Sequence, residues 1–360
     1  MKAAVLREVP GELVIEDVQV DAPGPREVLI RTAAAGCCHS DLHFMDGLYR
    51  TPTPAVVGHE SAGVVEQVGA DVSYVQPGDH VITCLSVFCG HCEFCISGRP
   101  HLCTKVATRR LRDATPRLAQ DGGPMHQFLD LSSFAEQMLV HEGAVVKVRD
   151  DMPLDRAALL GCGVLTGLGA VFNTAGVRPG ETVVVIGCGG VGLSAVQGAR
   201  IAGAGRIIAV DMVASKLALA RSMGATDVVD AADGDPVAAV AELTSGGVDH
   251  AFEAIGLKVA AEQAFAMLKP GGTATIIGMI PVGQTIELPG HHFLAEKKIQ
   301  GSMMGSNRFR IDLPRYVDMY LAGTLQLDEL VSNRLPLHDV NSAFAAMRSG
   351  EIARDVIIFD

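Results

Sequence analysis

Two rhythms of apolar and polar positions divide this chain. Up to residue 85, short apolar runs are separated by Pro- and Gly-containing turns such as DAPGPRE and QPGDHV. The runs are KAAVL (2–6), ELVIEDVQV (12–20), EVLIRTAAAG (27–36), AGVVEQVG (62–69) and HVITCL (80–85). Runs of this kind between turn formers predict the strands of a compact, largely antiparallel β-domain. Residues 104–131 break the rhythm, basic at first and then polar and Gly-rich, and are expected to form a surface excursion. The pattern returns with FAEQMLVHEGAVVKV (134–148).

From Ala157 onward the character changes. ALLGCGVLTGLGAVF (158–172) predicts a helix, and ETVVVIG (181–187) is a continuous apolar run of the kind found in a strand buried on both faces. GCGGVGLSAVQGARIAGA (187–204) predicts a helix and RIIAVD (206–211) the next strand; KLALARSMGA, DVVD, VAAVAELTSGGVDHAFEAIG and ATIIGM continue the alternation. Strand and helix repeating in this way imply an α/β region with a doubly wound parallel sheet. After Ile299 the pattern predicts a last strand at IQGSMMG (299–305), helices near LPRYVDMYLAG and NSAFAAMRSG, and a terminal strand DVIIF.

Composition narrows the class. A chain of 360 residues suits two domains, and 48% hydrophobic against 19% charged residues supplies ample core. With 40 glycines, 4% aromatics and no Trp, it is built for tight turns and close helix–strand contacts. The formal charge is -12 and no Lys/Arg run stands out, so nucleic acid and anionic membrane surfaces are poor partners. The first residues lack the long apolar core of a signal peptide and no segment reads as a membrane span, so a cytoplasmic protein is expected.

Gly187-Cys188-Gly189-Gly190-Val191-Gly192 fits G-x-G-x-x-G, a weak pattern alone in a chain so rich in glycine. Its context strengthens it, because it follows the strand TVVVI, opens a helix and is trailed by a strand ending in Asp211. Gly187 permits the tight turn, Gly189 lets a pyrophosphate approach the backbone, and Gly192 lets helix and strand pack closely. The start of the helix, at Gly190 and Val191, offers free N–H groups to phosphate. Asp211, 24 residues after Gly187, can accept hydrogen bonds from ribose hydroxyls and would repel a 2′-phosphate, which favours NAD over NADP. Lys216, one turn further, is placed to reach the ribose. The competing reading is an ordinary glycine-rich turn in which Asp211 caps something local.

Nine cysteines without a secretory signal favour metal over disulfides. Cys89, Cys92, Cys95 and Cys103 form C-x2-C-x2-C-x7-C, a set that can close a tetrahedral zinc shell with no open position. An iron–sulfur cluster is the competitor, although no Pro follows the last Cys and no second cluster motif exists. Three further segments carry metal-type ligands far apart: Cys38 in GCCHSDLH, His59 and Glu60 in GHE, and Cys162 in GCG. Two thiolates and one imidazole leave a fourth position for water or a substrate oxygen, as a catalytic zinc requires. Cys37 and Cys188 are read as small packing residues.

Cys38-His39-Ser40-Asp41-Leu42-His43, Gly58-His59-Glu60, the four-cysteine lobe, Gly161-Cys162-Gly163 and GCGGVG occur in this order. Their order and spacing resemble those of the zinc-containing medium-chain alcohol dehydrogenases over essentially the entire chain. The excursion resembles that of the liver-type and thiol-dependent formaldehyde dehydrogenase branch. The resemblance implies a GroES-like catalytic domain (1–163, with a structural zinc lobe at 86–105), a Rossmann NAD-binding domain (164–303) and a return to the first domain (304–360). It implies two zinc ions per chain: a catalytic one on Cys38, His59 and Cys162, and a structural one on Cys89, Cys92, Cys95 and Cys103. Glu60 would lie beside the catalytic metal as a transient ligand, and Asp41 would orient His59. Ser40 would take the alcohol proton and pass it through the nicotinamide ribose to His43. Thr166 would belong to the cofactor site, Arg354 would meet the pyrophosphate, and His39 would occupy the other phosphate-contact position, where many members carry Arg.

The reaction so implied is hydride transfer from an alcohol to NAD, and its reverse. Leu85, where the family often places an aromatic residue, together with Val164 and Leu165, suggests a roomy apolar pocket for medium-sized or aromatic primary alcohols. Three alternatives stay open. One is oxidation of a formaldehyde–thiol adduct of glutathione or mycothiol; another is a nicotinoprotein whose NAD does not exchange; the third is a zinc-stabilised scaffold without catalysis. A homodimer is expected, joined through the edge strand IQGSMMG.

Overall fold

A computed structural model describes residues 1–111, 114–350 and 353–360. The chain divides into two compact units, Met1–Cys162 with Arg308–Asp360, and Gly163–Asn307.

The first unit is built around strand Glu27–Gly36, whose apolar run EVLIRTAAAG is buried almost throughout. It pairs antiparallel with Ser61–Val68, Gln137–His141 and the terminal strand Arg354–Ile358. Ser61–Val68 continues to His80–Thr83, and that strand to Val145–Lys147, both antiparallel. A second, four-stranded sheet runs in the order His126–Gln127, Ala55–Val56, Lys2–Leu6, Leu13–Asp17. The core of this unit gathers Leu6, Phe128, Phe134, Phe344 and Ile357, with Cys37 among them. The helices expected near the C-terminus span Phe309–Leu321 and Val340–Ser349.

Two features of this unit depart from the expectations. A strand at Val331–Pro336 pairs parallel with Arg354–Ile358 on the sheet edge; its largely exposed side chains, with Ser332, Asn333 and Arg334 in the middle, carry no apolar alternation. The 104–131 segment, apart from Arg112 and Asp113, which lie outside the described residues, is no loose surface excursion. Thr108, Arg117, Leu118, Met125 and Phe128 are all buried. The physical reason is a long-range ion cluster: Arg117 Nε donates to Glu27 Oε1 at 2.7 Å, and Arg110 Nε donates to the same carboxylate at 3.0 Å. With that clamp in place, Leu118–Gln120 pairs with Gln19–Val20.

The second unit is a six-stranded, wholly parallel sheet. Its strands are β1 (Thr182–Ile186), β2 (Arg206–Asp211), β3 (Asp227–Asp230), β4 (Val248–Glu253), β5 (Leu268–Ile276) and β6 (Lys298–Gly301). Their order is β3-β2-β1-β4-β5-β6, so the direction of winding reverses between β1 and β4. In such sheets ligands bind in the crevice outside the carboxyl ends of the strands at the reversal. Helices Gly190–Ile201, Ala214–Ser222, Pro236–Thr244 and Lys258–Ala266 connect the strands. β6 stops earlier than IQGSMMG suggests: Met304–Ser306 leave the extended conformation with φ positive at each residue, and Gly305 packs against Gly169. Among the described residues one helix, Leu154–Ala175, is long and apolar enough to cross a membrane, and 83% of its most apolar stretch is buried in the protein.

Candidate active site

Where the strand Glu27–Gly36 ends, Cys38 caps a short helix, His39–Met45, that carries the whole CHSDLH motif. The cap is reciprocal: Cys38 N–H donates to Asp41 Oδ2 at 3.2 Å, which holds Asp41 in the interior. Asp41 Oδ1 in turn lies 2.8 Å from His59 Nδ1, and neither side chain is exposed. An ionised carboxylate only accepts, so Nδ1 keeps a proton and Nε2 is the nitrogen left to bind a metal once its own proton is displaced. That nitrogen faces Cys162 Sγ at 3.3 Å. Gly58, with φ +93°, delivers His59 to this place, since a Cβ there would lie 2.7 Å from Phe134 N. Cys162 comes from a widened, π-type turn at Leu160–Val164, an irregularity frequent at functional sites. Its neighbour Gly161 allows the helix to touch Thr83 O, 2.6 Å from where a Cβ would be.

The ligand atoms of Cys38, His59 and Cys162 lie within 4.8 Å of one another, all three buried. The Cys38 thiol is held well below its ordinary range, chiefly by a hydrogen bond from Cys162, with Arg354 and His59 assisting against burial. Cys162, the donor, is pushed well above its range by that bond and by burial. Burial disfavours a charged His59, but Asp41 and Cys38 outweigh it and raise the imidazole. Two soft sulfurs and one oriented imidazole, with no fourth donor grouped with them among the described residues, suit a divalent ion with an open position.

Glu60 is fully buried beside this group, its Oε1 3.4 Å from Arg354 Nε. Gly36 makes the room, because a Cβ there would sit 2.2 Å from Glu60 Oε1. Arg354 is 5% exposed and donates from Nη1 to the Cys37 carbonyl at 2.9 Å. The guanidinium read from the sequence as a phosphate contact is here the counter-charge of Glu60, a long-range pairing with no local sequence signal. Ser40 is half-buried on the first helical turn, with Cys38 Sγ 3.7 Å from its Oγ. His39 is exposed at the start of the helix. His43 is half-buried one turn on, its ring stacked on Tyr49 at 6.3 Å and 14°. Its Nδ1 is buried with no hydrogen-bond partner, and burial lowers its pKa. Tyr49 carries no signal in the sequence, because no spacing rule marks a tyrosine six residues along in a loop.

In the four-cysteine lobe, sulfur–sulfur distances are 3.9 Å for Cys89–Cys95, 3.5 Å for Cys92–Cys95 and 3.7 Å for Cys92–Cys103. Four sulfurs about 2.3 Å from one central ion in a tetrahedron would be about 3.8 Å apart. A cluster, which spreads its cysteines over different irons, needs them farther apart, so the shape is that of a single-ion site. Backbone N–H groups of Cys92, Cys89 and Lys105 donate to the sulfurs of Cys89, Cys103 and Cys103.

In the second unit the turn after β1 has the form that its glycines require. Gly187 has φ +94°, a Cβ on Gly192 would strike Gly187 O at 1.7 Å, and Gly189 opens on free space before Gly190–Ile201. Asp211, at the end of β2, accepts from Cys188 N–H at 2.7 Å through Oδ2, and from Met212 and Val213 N–H at 2.8 and 3.0 Å through Oδ1. Lys216 is half-buried on the following helix. Thr166 is buried, 3.5 Å from Met304 Sδ. Cys188 is fully buried.

Residues 24–150 match the alcohol dehydrogenase GroES-like domain, and residues 190–320 match the zinc-binding dehydrogenase family. The chain is 38% identical to alcohol dehydrogenase 1 of Pisum sativum over 99% of its own length and 96% of that protein. It is also 38% identical to the class-3 alcohol dehydrogenase of Oryza sativa subsp. japonica, over 100% and 97%. The crystal structure of benzyl alcohol dehydrogenase from Acinetobacter calcoaceticus superposes with a TM-score of 0.94 at 35% identity, covering 100% of this chain and 99% of that one. With GroES-like and Rossmann parts both present, the chain belongs to the zinc-binding medium-chain alcohol dehydrogenase family.

Proposed function

We propose that this protein oxidises medium-sized primary alcohols, aromatic ones included, to aldehydes with NAD, and catalyses the reverse reduction. The observation that carries the reading is the convergence of Cys38, His59 and Cys162 beside a helix that also holds Ser40 and His43. Cys38, His59 and Cys162 would hold zinc, which when bound acidifies the substrate hydroxyl and so makes its C–H a better hydride donor. A second zinc would sit on Cys89, Cys92, Cys95 and Cys103.

The remaining work falls to the chain's own groups. Asp41 fixes the His59 tautomer and orientation. Ser40 would accept the alcohol proton at Oγ as it releases its own hydroxyl proton, and His43, with an unpartnered buried Nδ1, would be the base that takes up the released proton on its way to water. Arg354 balances Glu60, so that a buried carboxylate can stand near the ligands; with His39 it would also hold the pyrophosphate. Gly187, Gly189 and Gly192 shape the turn that receives the dinucleotide, and Thr166 and Lys216 complete its site. Asp211 is held at the end of β2 by three backbone N–H groups, where a carboxyl side chain leaves no room for a 2′-phosphate partner, and this supports NAD over NADP. Leu85, buried at 7% exposure, supports an apolar pocket wall. The name of the Acinetobacter enzyme makes benzyl alcohol the first substrate to try.

The proposed assembly is a homodimer. β6 is an edge strand, and Phe293, Leu294 and Met303 around it are 48%, 90% and 50% exposed. Light scattering tests it: twice the chain mass is expected, and the mass of a single chain would refute the dimer. For the activity, benzyl alcohol is assayed with NAD and with NADP, with and without added thiol, alongside metal analysis. NAD reduction independent of thiol with two zinc ions per chain is expected; formaldehyde oxidation only with thiol, or no hydride transfer and one zinc per chain, would refute the reading.

A further inference from the structure

β4 ends in Glu253, and this side chain is completely buried at the carboxyl end of a central strand, next to the winding reversal. A buried carboxylate is costly unless hydrogen-bonded. Here Oε1 accepts from Ile255 N–H at 2.8 Å and from Gly256 N–H at 2.6 Å, closing the loop that follows the strand onto the strand's own last side chain. The carbonyl of Glu253 accepts from Ile277 and Gly278 N–H at 2.9 and 3.1 Å, which ties in the loop after β5.

The two loops meet glycine to glycine above the carboxylate. A Cβ on Gly278 would lie 2.1 Å from Gly256 N and 2.6 Å from Glu253 Oε2, and Gly256 has φ +92°. Nothing larger fits, so the junction is built to a single geometry. Its product is the placement of Ile255: 42% exposed, yet with Cγ1 2.4 Å from where a Cβ on Gly187 would stand. Ile255 therefore forms a wall directly against the first glycine of the G-x-G-x-x-G turn.

We infer that Glu253 is a positioning residue for dinucleotide binding, holding the Ala254–Leu257 loop so that Ile255 flanks the Gly187 turn in the crevice between the ends of β1 and β4. The inference rests on the reading of that turn as the dinucleotide site. A loop left to move would have to be ordered by the cofactor itself, so the loss appears in affinity before it appears in turnover.

The test compares the zinc-loaded wild type with Glu253→Ala, Glu253→Gln and Ile255→Ala. NADH affinity is read by fluorescence titration, kcat at saturating NAD, and Tm. Glu253→Ala is expected to raise the Kd for NADH by about thirtyfold and lower kcat by less than about threefold, since two hydrogen bonds that organise the loop are lost. Glu253→Gln keeps an oxygen that can accept both N–H groups and should stay within about threefold of wild-type affinity. Ile255→Ala, at a half-exposed side chain, leaves the fold intact and should raise Kd by about fivefold. Folded Glu253→Ala with a lowered Tm but an NADH Kd within about twofold of wild type would show a merely structural role and overturn the inference. Should Glu253→Ala not fold, an Ile255→Ala affinity within about twofold of wild type overturns it equally. A wild type that binds no dinucleotide overturns the reading of the turn itself, and the inference with it.

Discussion

Asp41 and His59 meet at 2.8 Å in a place no solvent reaches, and that contact decides which nitrogen of His59 faces Cys162. Asp41 owes its own position to the Cys38 N–H, so one carboxylate joins the helix cap to the ligand group. Asp41→Asn keeps the shape but no longer commits Nδ1 to carrying the proton. Loss of such an outer partner costs about 10–100-fold in metal affinity or activity. The variant should therefore lose one of two zinc ions on mild chelation while the wild type keeps both. Equal retention in the two proteins would remove Asp41 from this role.

Much of the cofactor unit is legible in its sequence. TVVVI, GCGGVG and RIIAVD are local signals: a buried parallel strand needs a continuous apolar run, and its turn needs φ > 0 at Gly187. CHSD and GHE are legible only as a set, through their order and spacing. What stays hidden depends on partners remote in sequence. Arg117 is buried because Glu27, 90 positions away, receives it, and nothing in TPRLAQ announces that pairing. Val331–Pro336 is a strand because Arg354–Ile358 supplies its ladder, whatever its central Ser-Asn-Arg run prefers. Arg354 pairs with Glu60, 294 positions away, and nothing in SGEIARDV announces that partner.

His43 should set the acid limb of turnover. Burial holds its pKa below the ordinary histidine value. The relay needs a neutral imidazole, so alcohol oxidation should hold up through pH 6.5, where an ordinary histidine is half protonated, and fall only at lower pH. His43→Gln should slow oxidation by about tenfold near pH 6 and by progressively less toward about pH 9, where hydroxide can take the proton. A pH–rate profile for kcat checks this; a uniform deficit across pH would argue for a packing role against Tyr49.

Glu27 should give the first unit a distinct acid sensitivity. Burial alone would raise its pKa, but Arg110 and Arg117, with Gly24 N–H, bring it down to about 2 from an ordinary value of 4.5. A folded pKa below the unfolded one adds stability that is complete above about pH 4.5 and is lost as the pH falls from there toward about 2. Glu27→Gln removes that dependence and leaves Arg117 without its buried partner, at a cost of about 3 kcal/mol near neutral pH. Urea unfolding at pH 7 and pH 4 should show the variant less stable at both, with a smaller drop between them than in the wild type. Identical slopes against pH would mean that Glu27 does not carry the acid transition.

The four-cysteine lobe should depend on its ion for its shape. Its short helix, Glu93–Ile96, buries no residue, and Ile96 is 74% exposed, so the segment has no apolar core of its own. What holds it is sulfur convergence at 3.5–3.9 Å plus N–H donors that favour thiolates, an arrangement that repels itself once the central cation is gone. Cys103→Ser should bring zinc from two to one per chain and open the Phe94 peptide bond to chymotrypsin. The strands of the first unit, whose core lies in Leu6, Phe134 and Ile357, should stay protected. Zinc readdition should restore protection in chelated wild type but not in the variant. Protection that survives complete zinc removal would show that the lobe folds on packing alone, against everything its exposure pattern implies.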